Sequence, residues 1–206
     1  LNKVFFVNSG SAASDLAIRM AKRHTQRNHL VVMEHGYHGN TQQGIAISDY
    51  KFNHPKGEGQ PPNVIKVPLP DTYHGKYQDM NAGTDYANDV AMQIQEVHTI
   101  AAFISEAVVG CGGQVPLAEG YLNEVYKTIR AKGGLCIADE VQTGFGRLGT
   151  HFWGFESHGV VPDILVLGKP MGNGHPIGAV VCTDEVATSF EQGVEFFSSF
   201  GGNPVS

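Results

Sequence analysis

The sequence has 206 residues, 41% of them hydrophobic and 17% charged, a balance that supports one sizeable buried core and excludes a disordered chain. A formal net charge of −6 argues against a broad surface for a phosphate backbone, so no nucleic-acid partner is expected, although local anion sites stay open. No apolar run approaches membrane-spanning length, so no membrane partner is expected. The three spaced cysteines, Cys111, Cys136 and Cys182, suit a reducing compartment, taken as the cytoplasm, and give little support for a disulfide framework or a structural metal.

KVFFV (3–7) predicts a short buried strand. NSGS follows, then SAASDLAIRMAKRH, in which Ala13, Leu16, Ala17 and Met20 recur at helical spacing behind Ser11 as the expected N-cap. LVVM (30–33) predicts a second strand, and HGYHGN (35–40) a turn or helix start. Pro, Gly and Asn between Lys51 and Thr84 predict a surface segment, interrupted by the strand NVIKV (63–67). Val90, Ile94 and Val97 share one face of a helix over 86–97, and AAFISEA (101–107) is strand-like. GYLNEVYKTIRAKGG places Leu122, Val125 and Ile129 on a helix closed by glycine. GLCIADE, DILVLG and IGAVVCT predict three more strands. Strands alternating with amphipathic helices predict an α/β fold, three layers deep (α/β/α), with a mostly parallel sheet. The start without methionine and the end at FGGNPVS predict a piece of a longer protein, cut at both ends.

Open sheets of this kind bind ligands beyond the carboxyl ends of their strands. Three strands end there in polar or glycine-rich segments: NSGS, the DE of GLCIADE, and GKPMG. In NSGS, Gly10 permits a tight turn and Ser11 offers a hydroxyl and an N–H at a helix start, which favours a phosphate or serves as an ordinary cap. GKPMGNGHP lacks the spacing of a nucleotide-binding P-loop, and the glycines of GFGRLG, at 144, 146 and 149, do not form a dinucleotide fingerprint. Asp139, after a run of apolar and small residues, suits a carboxylate that keeps a ring nitrogen protonated. Glu140 is an equal candidate, because adjacent strand residues face opposite ways, and both acids can instead cap backbone. Gln142 can bond a phenolic oxygen, and Arg147 is expected to be scaffold or surface. Lys169, partly desolvated at the end of DILVLG, can attack a carbonyl as a neutral amine; the alternative is a solvated loop charge. Phosphate, ring nitrogen and aldehyde are the three handles of pyridoxal phosphate. Ser11, Asp139 and Lys169 can take one each, with Tyr37 stacking on one ring face and Val141 contacting the other.

FFVNSGSAASDLAIRMA, YHG, IADEVQTGFGRLG, PDILVLGKPMGNGHPIGAVV and FSSFGGNPVS together resemble the large cofactor-binding domain of class III pyridoxal-phosphate aminotransferases, and span nearly the whole chain. The resemblance implies an aspartate-aminotransferase-like fold of type I. It makes Lys169 the lysine that bonds the cofactor and Asp139 the partner of the pyridine nitrogen. Gly10 and Ser11 would hold the phosphate, Tyr37 would stack on the ring, and Gln142 would lie near the ring hydroxyl. His38 would position its neighbours, and Glu106 would lie near the substrate pocket. In these homodimers the residue matching Ser199 reaches the partner chain's phosphate and completes its site. Residues 1–206 would then be the large domain, with the small domain absent. The implied activity moves an amino group from an amino acid or amine to a 2-oxo acid. The blocks also resemble alanine–glyoxylate aminotransferase relatives and amine phospho-lyases, so phosphate elimination is the alternative, and a non-catalytic cofactor-binding domain the rival from another class. Two places depart from the family pattern: Ala12 replaces an acid, and EAVVGCGGQ has Ala107 for proline and Val109 for glutamine.

Overall fold

The computed structural model describes residues 1–206. Strand β1 (Lys3–Val7) leads into helix α1 (Gly10–Thr25), strand β2 (His29–Met33) and two short helices, α2 (Gln42–Ala46) and α3 (Asp49–Phe52). Then come β3 (Val64–Val67), α4 (Ala82–Gln93), β4 (Ile100–Glu106) and a small hairpin of β5 (Val108–Val109) and β6 (Val115–Pro116). Helix α5 (Tyr121–Ala131) precedes β7 (Leu135–Asp139), β8 (Ile164–Leu167), β9 (Gly178–Cys182) and α6 (Asp184–Glu191).

Seven strands form one sheet in the order β1-β9-β8-β7-β4-β2-β3. The five strands from β8 to β3 run parallel, whereas β9 is antiparallel to β8 and β1 antiparallel to β9. Two reversals restore direction, so β1 points the same way as the parallel strands. The carboxyl ends of β1, β2, β4, β7 and β8 therefore share one edge. One face of the sheet packs Leu16, Ile18 and Met20 of α1 and Val186 and Phe190 of α6 over Val32, Ile104 and Val166. The other packs Tyr86 and Val90 of α4 and Leu122, Val125 and Ile129 of α5 over Val31, Phe103 and Leu165. With both faces covered, every residue of β4 is buried, which is why its run reads as continuously apolar rather than alternating.

Four expectations need correction. Strand β1 is not buried: it is the sheet edge, with Val4 49% and Phe6 45% exposed. The N-cap of α1 is Ser9, whose hydroxyl accepts from Ala12 N at 3.1 Å, while Ser11 lies inside the helix. Helix α4 begins at Ala82 and ends at Gln93, leaving Ile94 buried in the turn after it. Helix α6 and the β5–β6 hairpin are additional elements. Thr183 caps α6, and Asp184 and Glu185 in its first turn complement the helix dipole. No helix is long and apolar enough to cross a membrane.

Candidate active site

The carboxyl edge is built by close backbone packing. A Cβ on Gly10 would lie 2.8 Å from Val141 Cγ1, and one on Gly168 would lie 3.0 Å from Gly10 Cα. Only glycine at both positions lets the NSGS turn, the end of β7 and the loop after β8 meet. Ser11 Oγ accepts from Asn40 N at 3.0 Å, and Gly39, at φ +122°, brings its own chain against Ser11. This end of α1 has no acidic residue in its first turn. The positive end of the helix dipole faces the edge without a competing carboxylate.

Asp139 is buried and doubly held. Its Oδ2 lies 2.8 Å from His38 Nδ1, and its Oδ1 accepts from Val141 N at 3.1 Å. A carboxylate only accepts, so His38 Nδ1 carries the proton. His38 is itself fixed by its backbone N–H to Ser48 Oγ at 2.7 Å, and its buried Nε2 has no protein partner. Glu140 points the other way, fully buried, accepting from Thr143 Oγ1 (2.6 Å), Gly154 N (2.8 Å) and Phe155 N (2.7 Å). The strand alternation thus assigns Asp139 to the site and Glu140 to anchoring the following loop. Burial pushes the Glu140 carboxyl above its ordinary range.

Glu106, at the end of β4, is buried and accepts from Tyr37 N at 3.2 Å and Gly110 N at 3.1 Å. Burial raises its carboxyl pKa; His38 opposes that rise and the neighbouring charge of Asp139 adds to it. The ring of Tyr37 meets Tyr50 edge-on with centroids 6.2 Å apart. Burial, then Cys111 and Asp139, raise the Tyr37 hydroxyl. Gln142 Nε2 donates to Gln114 Oε1 at 3.4 Å. Lys169 departs from expectation: it is exposed rather than partly desolvated. Its backbone is also strained, at φ +30° between the extended Gly168 and Pro170.

One cavity of about 400 Å³ collects Gly10, Ser11, Tyr37, His38, Glu106, Asp139, Val141, Gln142 and Lys169. Ser199 is not among its walls; it sits exposed near the chain end. Ser9, Ser14, Gly39 and Cys111 also line the cavity and were not singled out from the sequence. Ser9 and Gly39 belong to the NSGS and HGYHG segments that were, Ser14 lies one turn further along α1, and Cys111 lies in the EAVVGCGGQ block, noted only for its departures at Ala107 and Val109. No cluster of three or more His, Cys, Asp or Glu side chains gathers as a metal ligand set. The cavity offers an acid for a ring nitrogen, a helix start for an anion and a lysine amine, which is the donor set that pyridoxal phosphate requires.

A family model described as aminotransferase class-III matches residues 2–206. The chain belongs to this family. Pyridoxal phosphate is the family's cofactor, and an omega transaminase from Pseudomonas jessenii in complex with PMP is similar over 93% of this chain and 45% of its own, at 29% identity and a TM-score of 0.86. A phospholyase from Arthrobacter in complex with phosphoethanolamine is similar over 100% of this chain and 49% of its own, at 37% identity and a TM-score of 0.89. The Drosophila melanogaster protein alanine–glyoxylate aminotransferase 2-like is 48% identical, covering 100% of this chain and 44% of its own length. An ethanolamine-phosphate phospho-lyase homolog of Caenorhabditis elegans is 40% identical over 100% of this chain and 48% of its own. A mitochondrial alanine–glyoxylate aminotransferase 2 homolog of Arabidopsis thaliana is 46% identical over 100% and 42%. The chain thus spans a little under half the length of these relatives.

The cytoplasmic expectation is overturned by the relatives named as mitochondrial, from Arabidopsis thaliana and Homo sapiens. The spacing of three cysteines on which that expectation rested does not name a compartment.

Proposed function

We propose that residues 1–206 are the cofactor-binding large domain of a transaminase that moves an amino group from an amino acid or amine to a 2-oxo acid. The observation that carries this is the convergence of Asp139, Lys169 and the start of α1 on one cavity. When bound, pyridoxal phosphate supplies an electron sink for negative charge developing on the substrate carbon. Asp139, oriented by His38 and Val141 N, would hold a proton on the ring nitrogen. Gly10, Ser11 and the α1 dipole would hold the phosphate. Tyr37 and Val141 would flank the ring, and Gln142 would lie near its hydroxyl. Glu106 fixes the backbone of Tyr37 and of Gly110, and so sets the stacking position. Lys169 Nζ would anchor the cofactor, and the same amine would serve as the base that moves the proton of the substrate carbon. Ser199, exposed and outside its own chain's cavity, completes the phosphate site of a second copy in a homodimer.

The phospho-lyase likenesses favour a second reading, in which the same residues generate negative charge that expels phosphate from the neighbouring carbon. Joint retention of Lys169, Asp139 and Tyr37 counts against a non-catalytic domain. The deciding experiment gives the full-length enzyme an amine with and without a 2-oxo acid. Amino transfer that requires the oxo acid supports the proposal. Release of inorganic phosphate from phosphoethanolamine without any oxo acid would replace it with the lyase.

A further inference from the structure

A clamp stands behind the loop that carries Tyr37 and His38. Three successive residues at the start of α3 each hold one backbone group of that loop. Ser48 Oγ accepts from His38 N at 2.7 Å, Asp49 Oδ2 accepts from His35 N at 2.7 Å, and Tyr50 N donates to Gly36 O at 3.2 Å.

Ser48 is the member of the clamp that connects to the acid of the site. It stands at the N-cap position of α3, where a serine hydroxyl ordinarily accepts from the first N–H groups of its own helix. Here the hydroxyl makes no cap bond. It is turned instead to the loop, and its own proton goes to Gly44 O at 2.6 Å. Gly44 brings α2 onto the same loop, since a Cβ there would lie 2.9 Å from Gly39 C. His38 Nδ1 in turn donates to Asp139 Oδ2 at 2.8 Å. A chain of hydrogen bonds therefore runs from Gly44 O through Ser48 Oγ and His38 to Asp139, and all four residues are buried. A buried network of this kind fixes one arrangement of its members, and removing one link frees the next to turn.

We propose that Ser48 is a positioning residue for the reaction: it holds His38, and through His38 the direction in which Asp139 faces the cofactor ring. This rests on the cavity being the pyridoxal-phosphate site. The test compares full-length enzyme with Ser48→Ala, Ser48→Thr, His38→Gln and the Ser48→Ala, His38→Gln pair. Turnover of the cofactor-loaded proteins is followed with L-alanine plus a 2-oxo acid and with phosphoethanolamine. Ser48→Ala should lower kcat about 10- to 100-fold while KM changes less than about threefold, and Ser48→Thr, which keeps the hydroxyl, should recover most of the loss. In the His38→Gln background the same Ser48→Ala change should cost less than about threefold, because the route to Asp139 is already cut. Residue-resolved amide hydrogen exchange on the cofactor-free full-length protein supplies a readout without turnover. His38 N–H should exchange at least about 10-fold faster in Ser48→Ala and near the parent rate in Ser48→Thr, with the amides of β4 unchanged. Should Ser48→Ala not fold, Ser48→Cys gives the same contrasts, because a thiol is a weak acceptor. An equal kcat loss with and without His38, a loss confined to KM, or unchanged exchange at His38 would overturn the proposal. Absence of a Lys169-dependent cofactor adduct in the parent would overturn the cofactor reading itself, an outcome that the exchange measurement does not share.

Discussion

Gly10→Ala tests the packing on which the site depends. The new Cβ would meet Val141 Cγ1 at 2.8 Å and Cγ2 at 3.0 Å, with Val141 supplying all three of its nearest atoms. Comfortable carbon contacts lie near 3.5–4.0 Å, so Val141 must yield by roughly half an ångström or more. Overpacking of this kind costs about 1–3 kcal/mol, while Ala in place of Gly in a helix returns about 0.5–1 kcal/mol. A net loss of about 1 kcal/mol follows, or about 2–4 °C in Tm for a chain of this size. Val141→Ala alone, at a half-buried position, should cost about 1 kcal/mol. Because it removes the two methyl groups that clash, the double variant should lose no more than Val141→Ala does. The coupling is then about 1 kcal/mol, read from urea unfolding of the four proteins. Additive losses would show that the NSGS turn and the end of β7 do not meet at this contact and would refute the packing argument.

Glu140→Ala strands the N–H groups of Gly154 and Phe155 and the Thr143 hydroxyl, and should destabilise the chain by about 3 kcal/mol or more in the same unfolding assay, with Glu140→Gln losing less. Glu106 has a carboxyl pKa raised by burial, so its contribution to stability is present below about pH 4.5 and is lost as pH rises through the folded value. Glu106→Gln removes that loss: its stability relative to the parent should improve as pH rises above about 4.5, measured by unfolding across the pH range. Glu140 is common to both proteins and cancels in the difference. Asp139→Asn keeps the shape but loses the charge facing His38, and in the full-length enzyme should reduce turnover by about 100-fold or more while leaving the fold intact by circular dichroism.

The parallel strands and α5 were legible because both sheet faces are covered, so buried strands read as apolar runs and helices as amphipathic ones. Strand β1 misled for the same reason: KVFFV is apolar, and its place at the sheet edge is a fact of strand order that no local pattern carries. The cap of α1 could be read one serine late because NSGS offers two, and Gly10 between them is already helical. Thr183 followed by two acids, with Val186, Ala187 and Phe190 at helical spacing, did announce α6. In the site, residue type alone left Asp139 and Glu140 equal and the family resemblance chose Asp139; the register places it beside Glu106 on β4 and Val166 on β8. The contact of His38 with Asp139 crosses 101 positions of sequence and exists only because β2, β4 and β7 are neighbours in the sheet. Exposure of Lys169 depends on how loops fold back over the edge, which residue type and spacing do not determine.

The central claim is that Lys169 is the group that bonds the cofactor. Full-length protein and its Lys169→Ala variant are mixed with pyridoxal phosphate, reduced with borohydride, digested and mapped by mass spectrometry. The account predicts a visible absorption band in the parent alone and cofactor mass fixed on the peptide that contains Lys169. A band of equal strength in Lys169→Ala, or cofactor fixed on another lysine, would contradict it.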